Sequence, residues 1–347
     1  MSAAPTPSAP ARDDRFPVLD GWRGISISLV LWGHLFPAGP KNSGMNEAFA
    51  QGGMVLFFTL SGFLITTFLL RRPAPVEFLI RRFFRIIPLA WLFSVIVMLF
   101  VGADADTWLA HLFFTMNIPP GHWVAATGHY WSLCVEVHFY VGIAIIVAVA
   151  GRRGLYLIPV LALCVTAYRI GTGTPISTVT WLRLDEILAG GMLAMLHQSL
   201  RGRFTIRPPV IVTLALFVLV IASAHPKSGP LQYLRPYLSA ILVGSTLFSL
   251  ETPAVRLLCG RVLGYLAQTS YALYVIHGGL LASWLGTGEG WVKYAKRPLL
   301  LAATFGLAHL STHHFESRFI DLGHKLAAQA RKRREARMRR ADPARSR

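Results

Sequence analysis

Charge is scarce in this chain, and acidic charge scarcest of all. Of 347 residues only 14% are charged, with 16 Asp and Glu against 34 Lys and Arg. Soluble globular domains carry about 25% charged residues, so an ordinary water-soluble fold is excluded. Cysteine is nearly absent. Cys134 and Cys164 fall in apolar stretches and Cys259 in a short loop, with no metal-type spacing and no disulfide framework. Polar sequence long enough for a separate soluble domain is missing too. The longest weakly apolar stretch, Gly102 to His129, has room for an amphipathic segment but not for a catalytic module. Internal repeats, the mark of many two-halved transporters, are also absent.

What is present is apolar length. Hydrophobic residues make up 54% of the chain, and mean hydropathy is +0.50. Runs of about 17 to 22 apolar residues recur, the length needed to cross a bilayer. About ten spans are expected, centred on Gly21–Phe36, Gly53–Leu70, Phe83–Val101, Tyr130–Ala150, Leu155–Ile170, Val179–His197, Val210–Ala224, Tyr237–Leu250, Val262–Leu285 and Leu299–Phe315. The predicted fold class is therefore all-α, a polytopic helix bundle of the plasma or inner membrane.

The basic loops predict its orientation. One side collects Arg12 and Arg15, Arg71, Arg72 and the Arg81–Arg85 group, Arg152 and Arg153, Arg201 to Arg207, Arg256 and Arg261, and the C-terminal basic run. The other holds Lys41, Arg169, Lys227, Arg235, Lys293, Lys296 and Arg297, and nothing basic between Val101 and Tyr130. The positive-inside rule then places both termini in the cytoplasm. Met1–Arg15, rich in Pro, Ala and Ser, reads as a disordered tail without a signal peptide's apolar core. Residues 321–347 read as a basic cytoplasmic tail. The net charge of +18 rests largely on that tail, which suits orientation and anionic membrane lipids better than nucleic acid.

Against this apolar background the ionisable residues stand out, since such groups inside a span are costly and are functional suspects. Arg23 and His34 lie eleven residues apart on the first span. That is three turns plus about 20°, so both leave one face, separated by about 16 Å. Arg81, Arg82 and Arg85 form one helical face at the basic end of the third span. Clustered guanidiniums suit phosphate groups, although anionic lipid or a simple topology signal also fits. His129, Ser132, Glu136 and Tyr140 make a single polar stripe on the fourth span. Glu136 needs a partner there; Arg23, His34 or a structural ion pair would each serve. Ser61 and Gly62 interrupt bulky aromatics on the second span, either for helix packing or to leave room for a ligand. Arg183, Asp185 and Glu186 read as internally paired, and His277 as a hydrogen-bonded structural residue. His313, His314 and Glu316 do not make a metal site, because adjacent histidines point to different faces.

Taken in order, these segments resemble the membrane-bound acyltransferase 3 family. The resemblance rests on Leu19–Gly24 with His34, Phe57–Leu64, Arg81-Arg82-x-x-Arg85-Ile86-x-Pro88, Tyr130–Tyr140, and Ser270-Tyr271-x-Leu273-Tyr274-x-x-His277. It runs from about residue 16 to 320. It implies ten helices, a cytosolic acyl-coenzyme A donor (acetyl-CoA being commonest), no metal, and O-acylation of an extracytoplasmic carbohydrate or glycolipid acceptor. By the same resemblance His34 and Glu136 are catalytic, Arg23, Arg81, Arg82 and Arg85 bind the donor, and Ser61, Gly62, Trp131, Ser132, Tyr140 and His277 line the substrate cavity. His34 could act as base or as nucleophile. A departure falls at Glu316-Ser317-Arg318-Phe319, where the family commonly reads Glu-Arg-Pro-Phe. A transporter without covalent chemistry and a structural partner in an envelope assembly are the competing readings.

Overall fold

A computed structural model describes residues 16–40, 42–249 and 252–341, with side chains described to residue 336. The tail expected at 1–15, Lys41 and the chain's last residues lie outside this range. Among the described residues the chain is all-α, its sole extended pairing an isolated bridge between Ile206 and Ser249. Each predicted apolar stretch is helical. The long elements are α1 (Pro17–Leu35), α2 (Met45–Arg71), α3 (Pro75–Val101), α5 (Trp131–Ala150), α6 (Leu157–Gly171), α7 (Leu184–Leu200), α8 (Val210–Ala224), α9 (Leu231–Leu247), α11 (Arg261–Ala282) and α13 (Arg297–Leu310). Short helices α4 (Ala105–Leu112), α10 (Pro253–Leu258) and α12 (Gly290–Ala295) sit in the connections, and α14 (Ser317–Ala341) closes the described chain.

Among the described residues three helical stretches are long and apolar enough to cross a membrane: Met45–Arg71, Pro75–Val101, and Ala125–Gly171, which contains α5 and α6. Their burial differs in a way that locates the core. The most apolar window of Met45–Arg71 is 78% buried within the protein, against 39% for that of Pro75–Val101. So α2 is the central rod, while α3 turns much of its apolar surface outward. The rod is gripped by small residues, which let helix backbones approach closely. A Cβ on Gly62 would stand 1.8 Å from the carbonyl oxygen of Ile187 on α7, and one on Gly190 2.0 Å from that of Thr59 on α2. On the other flank α1 lies against α2, where the Ser26 hydroxyl donates to the Gly53 carbonyl at 2.7 Å. α1 is in turn covered by α11.

A fully buried ionic cluster ties α6, α7 and α9 together. Arg169 pairs with Asp185, while Glu186 receives Arg235 at 2.8 Å and Arg183 at 3.3 Å, all five side chains having no exposure. Arg183 also donates to Gln51 of α2 at 2.7 Å and lies 4.9 Å above the Trp131 ring of α5. Burial forces this pairing, because an isolated charge in a low-dielectric interior costs far more than a matched one.

Between α13 and α14 the helix widens into a π-segment, Ser311–Glu316, where buried Glu316 accepts from Ser311 at 3.2 Å and Thr312 at 3.1 Å. The extra residue per turn changes the helix register, and α14 emerges packed along α3. The basic stretch after residue 320 is thus helical as far as Ala341.

Candidate functional site

His34 stands at the end of α1, and three features hold that end in place. The Nδ2 of Asn46, on the first turn of α2, donates to the carbonyls of Gly33 at 2.8 Å and Phe36 at 2.5 Å. Its Oδ1 accepts from the Ala38 amide at 3.1 Å. Gly33 permits the contact, since a Cβ there would sit 2.6 Å from the Asn46 carbonyl oxygen. Asn46 therefore caps orphan carbonyls of α1 that would otherwise need water.

The ring of His34 meets His277 of α11. Nδ1 of His34 lies 2.9 Å from Nε2 of His277, with the rings 10° from parallel. Nδ1 of His277 in turn lies 2.7 Å from the Tyr274 carbonyl. A carbonyl only accepts, so His277 donates through Nδ1 and presents Nε2 as an acceptor. With neutral rings His34 must then donate through Nδ1, which leaves a lone pair on its Nε2. His34 is exposed while His277 is buried, so the free nitrogen belongs to the accessible ring. Behind them the His129 ring lies tilted, its centroid 4.5 Å from that of His277, in a space kept by Gly278, whose Cβ would fall 2.2 Å from the His129 Cε1. Tyr274 donates to the His129 carbonyl, and Ser132 lies 2.6 Å from the Tyr274 hydroxyl oxygen.

Three cavities share lining residues in series, the second and third of them against α1. The first, of 590 Å³, is lined by Phe68, Phe78, Arg81, Arg82, Arg85, Ile320 and His324. The second, of 450 Å³, shares Arg82 and Arg85 with it and adds Arg23, Ser61, Glu136, Tyr140 and Tyr271. The third, which is narrow, shares Arg23, Phe57, Ser270 and Tyr271 with the second and reaches Val30 and Tyr274. His34 follows Val30 by one helical turn, and His277 follows Tyr274 by three residues.

The charges along this row are arranged in order. At its far end Arg81 is held by Glu77 at 2.9 Å, and Arg82 lies over the rings of Phe78 and Tyr140 at 5.8 and 5.5 Å. In the middle Glu136 accepts through Oε1 from both Ser61 and Tyr140, while its buried Oε2 has no hydrogen-bond partner. Arg23 shares that chamber and also touches Asp20 at 3.3 Å.

The structure therefore brings together His34 with His277, and Arg23 with Arg82, Arg85, Ser61, Glu136 and Tyr140. The partner of the His34 ring is His277 and not Glu136, whose hydrogen bonds go to Ser61 and Tyr140. Gly62, Trp131, Ser132 and His277 do not line these three cavities. Gly62 faces α7, Trp131 is buried between Arg183 and Phe58, and Ser132 supports Tyr274. Sequence reasoning missed Asn46 and His324 altogether, and it quoted Tyr271 within a motif without giving it a role. Tyr271 lies three residues before Tyr274, a spacing that makes the two neighbours on one helix face and so offered a signal. Among the described residues no group of His, Cys, Asp and Glu is arranged to hold a metal.

A family model described as an acyltransferase domain matches residues 16–310 of the chain. No curated protein and no solved structure matches it.

Proposed function

The chain belongs to the membrane-bound acyltransferase 3 family, and from that premise we propose that it carries an acyl group across the membrane. The donor is cytosolic acyl-coenzyme A, in the simplest case acetyl-CoA, and the acceptor is a hydroxyl of an extracytoplasmic carbohydrate or glycolipid. In this reading the chain crosses the inner membrane ten times with both ends in the cytoplasm, as its basic loops suggest.

The observation that carries the reading is the row of cavities with arginines at one end and the His34–His277 pair beyond the other. Arg81, Arg82 and Arg85 hold the coenzyme's phosphates, since guanidinium forks match phosphate oxygens and never lose their charge. The pantetheine arm extends past Arg23 and Glu136 through the apolar third chamber, bringing the thioester towards His34. Nε2 of His34 takes the proton of the acceptor hydroxyl as its oxygen attacks the thioester carbonyl. The carbon–sulfur bond then breaks, the departing thiolate recovers the proton from the imidazolium, and the products are the acyl ester and free coenzyme A. His277 supports the step by fixing the tautomer of His34 and delocalising the imidazolium charge. Ser61 and Tyr140 keep Glu136 oriented so that its charge offsets Arg23 and Arg85 while no donor is bound.

The test is sided. Radiolabelled acetyl-CoA supplied only to the cytoplasmic face of sealed vesicles should give covalent label on a glycan enclosed at the opposite face. A transporter would move label without fixing it, and finding no covalent product in vesicles that hold native envelope glycans would reject the enzyme.

A further inference from the structure

The arginine cavity has a second wall, which the family match does not include. That match ends at residue 310, yet Ile320 and His324 of α14 face Arg81, Arg82 and Arg85 across 590 Å³. We propose that α14 is an added component of the donor site, with His324 binding a phosphate of the coenzyme and the basic turns beyond it forming an electrostatic rim. The inference rests on reading the arginine cavity as the site of the donor's phosphates.

The helix is seated on α3 and not merely adjacent to it. Its buried or half-buried positions Glu316, Ile320, Gly323 and Ala327 repeat every three or four residues, which is one face of a helix. Gly323 is the point of closest approach: a Cβ there would lie 2.7 Å from the Cβ of Phe84, one residue before Arg85. That contact fixes the height and rotation of α14, and so aims the next residue, His324, at the cavity. His324 is exposed and lines the cavity. The cavity's lining contains no carboxylate. Arg81 is partnered by Glu77, and Arg82, Arg85 and His324 line the same cavity. A ligand with several phosphates could thus be gripped from both walls. Lys325 and the run Arg331-Lys332-Arg333-Arg334 are all exposed, and they extend the positive field about 10 Å further along the helix.

An anionic lipid headgroup presents the same phosphate chemistry, so the experiment must separate the two sources. Full-length protein is placed in nanodiscs of purely zwitterionic lipid, and transfer is measured with acetyl-CoA and with S-acetyl-pantetheine, which has the arm but no phosphates. His324→Ala should raise the KM for acetyl-CoA about five- to tenfold, the loss of one exposed charge-assisted hydrogen bond. The kcat at saturation should stay within about twofold, and kcat/KM for S-acetyl-pantetheine should not change. Replacing Arg331, Lys332, Arg333 and Arg334 together by Gln should flatten the salt dependence of that KM. Gly323→Leu, which drives α14 off Phe84, should reproduce the His324→Ala effect. An acetyl-CoA KM unchanged in His324→Ala, or changed only when anionic lipid is present, overturns the proposal. If Arg85→Ala weakens coenzyme A binding while the α14 variants behave as wild type, only this inference falls; if wild type binds no coenzyme A, the donor reading falls with it.

Discussion

At the residue scale the decisive feature is the direction of two hydrogen bonds in series. A backbone carbonyl on Tyr274 dictates the tautomer of His277, which dictates that of His34, which leaves the outermost nitrogen basic. His34→Ala should lower kcat by about 10²–10⁴, the usual worth of a general base, while membrane insertion is unaffected. A variant that acylates at the wild-type rate would sink the mechanism. His277→Leu leaves His34 in place but unoriented. It should cost about a hundredfold in kcat with little change in donor KM, because the lost group touches no substrate. Arg85 acts at the other end of the path. Arg85→Ala should weaken equilibrium binding of coenzyme A by about ten- to a hundredfold, which isothermal titration would read directly.

At the element scale the helices are held by two devices of different character. Close approach through Gly62 and Gly190 sets the distance between α2 and α7, and the buried charges fix α7 against α6 and α9. Removing Glu186 would leave Arg183 and Arg235 as uncompensated cations in a dry interior. Glu186→Ala should therefore destabilise the bundle by about 3–5 kcal/mol, seen as a lower melting temperature in detergent. Asn46 is the comparable device for the site, since it ties the last carbonyls of α1 to the first turn of α2. A substitution there acts on His34 through the helix end and not through any group in contact with substrate.

At the scale of the whole molecule the question is sidedness. Cys259 lies in a loop between Arg256 and Arg261, and its thiol is exposed, whereas Cys134 is buried and exposed Cys164 sits within α6. If the basic loops face the cytoplasm, a membrane-impermeant maleimide should label Cys259 in inside-out vesicles and not in intact cells. Labelling from outside would invert the proposed topology and with it the direction of transfer. Partial desolvation and the nearby Asp20 carboxylate push this thiol above its ordinary pKa, so the reaction should be run at mildly alkaline pH, which enlarges the thiolate fraction.

Much of this was legible in the order of residues alone. Helix formation follows from apolar runs, which is why every stretch read as a span is helical, and costly charges in such runs mark the cavity row wherever they share one helix. Arg23 and His34 needed only the helical repeat, and Arg81 to Arg85 only their spacing. Between helices the repeat says nothing. Which ring His34 would meet depended on how α11 lies across α1, and the pattern of α5 pointed as readily to Glu136. Gly62 and Ser61 are neighbours in sequence, yet the helix turn sends one to α7 and the other to Glu136. The basic stretch after residue 320 concealed its contact face because Gly323 and Ala327 contribute little hydrophobicity; a glycine's value there is the backbone approach it allows. The order of residues suffices for an all-α membrane acyltransferase with ionisable residues at the two ends of one helix. Which side chains those residues face is set by the tertiary structure, because partners on different helices are chosen by the packing of backbones, a property no single helix encodes.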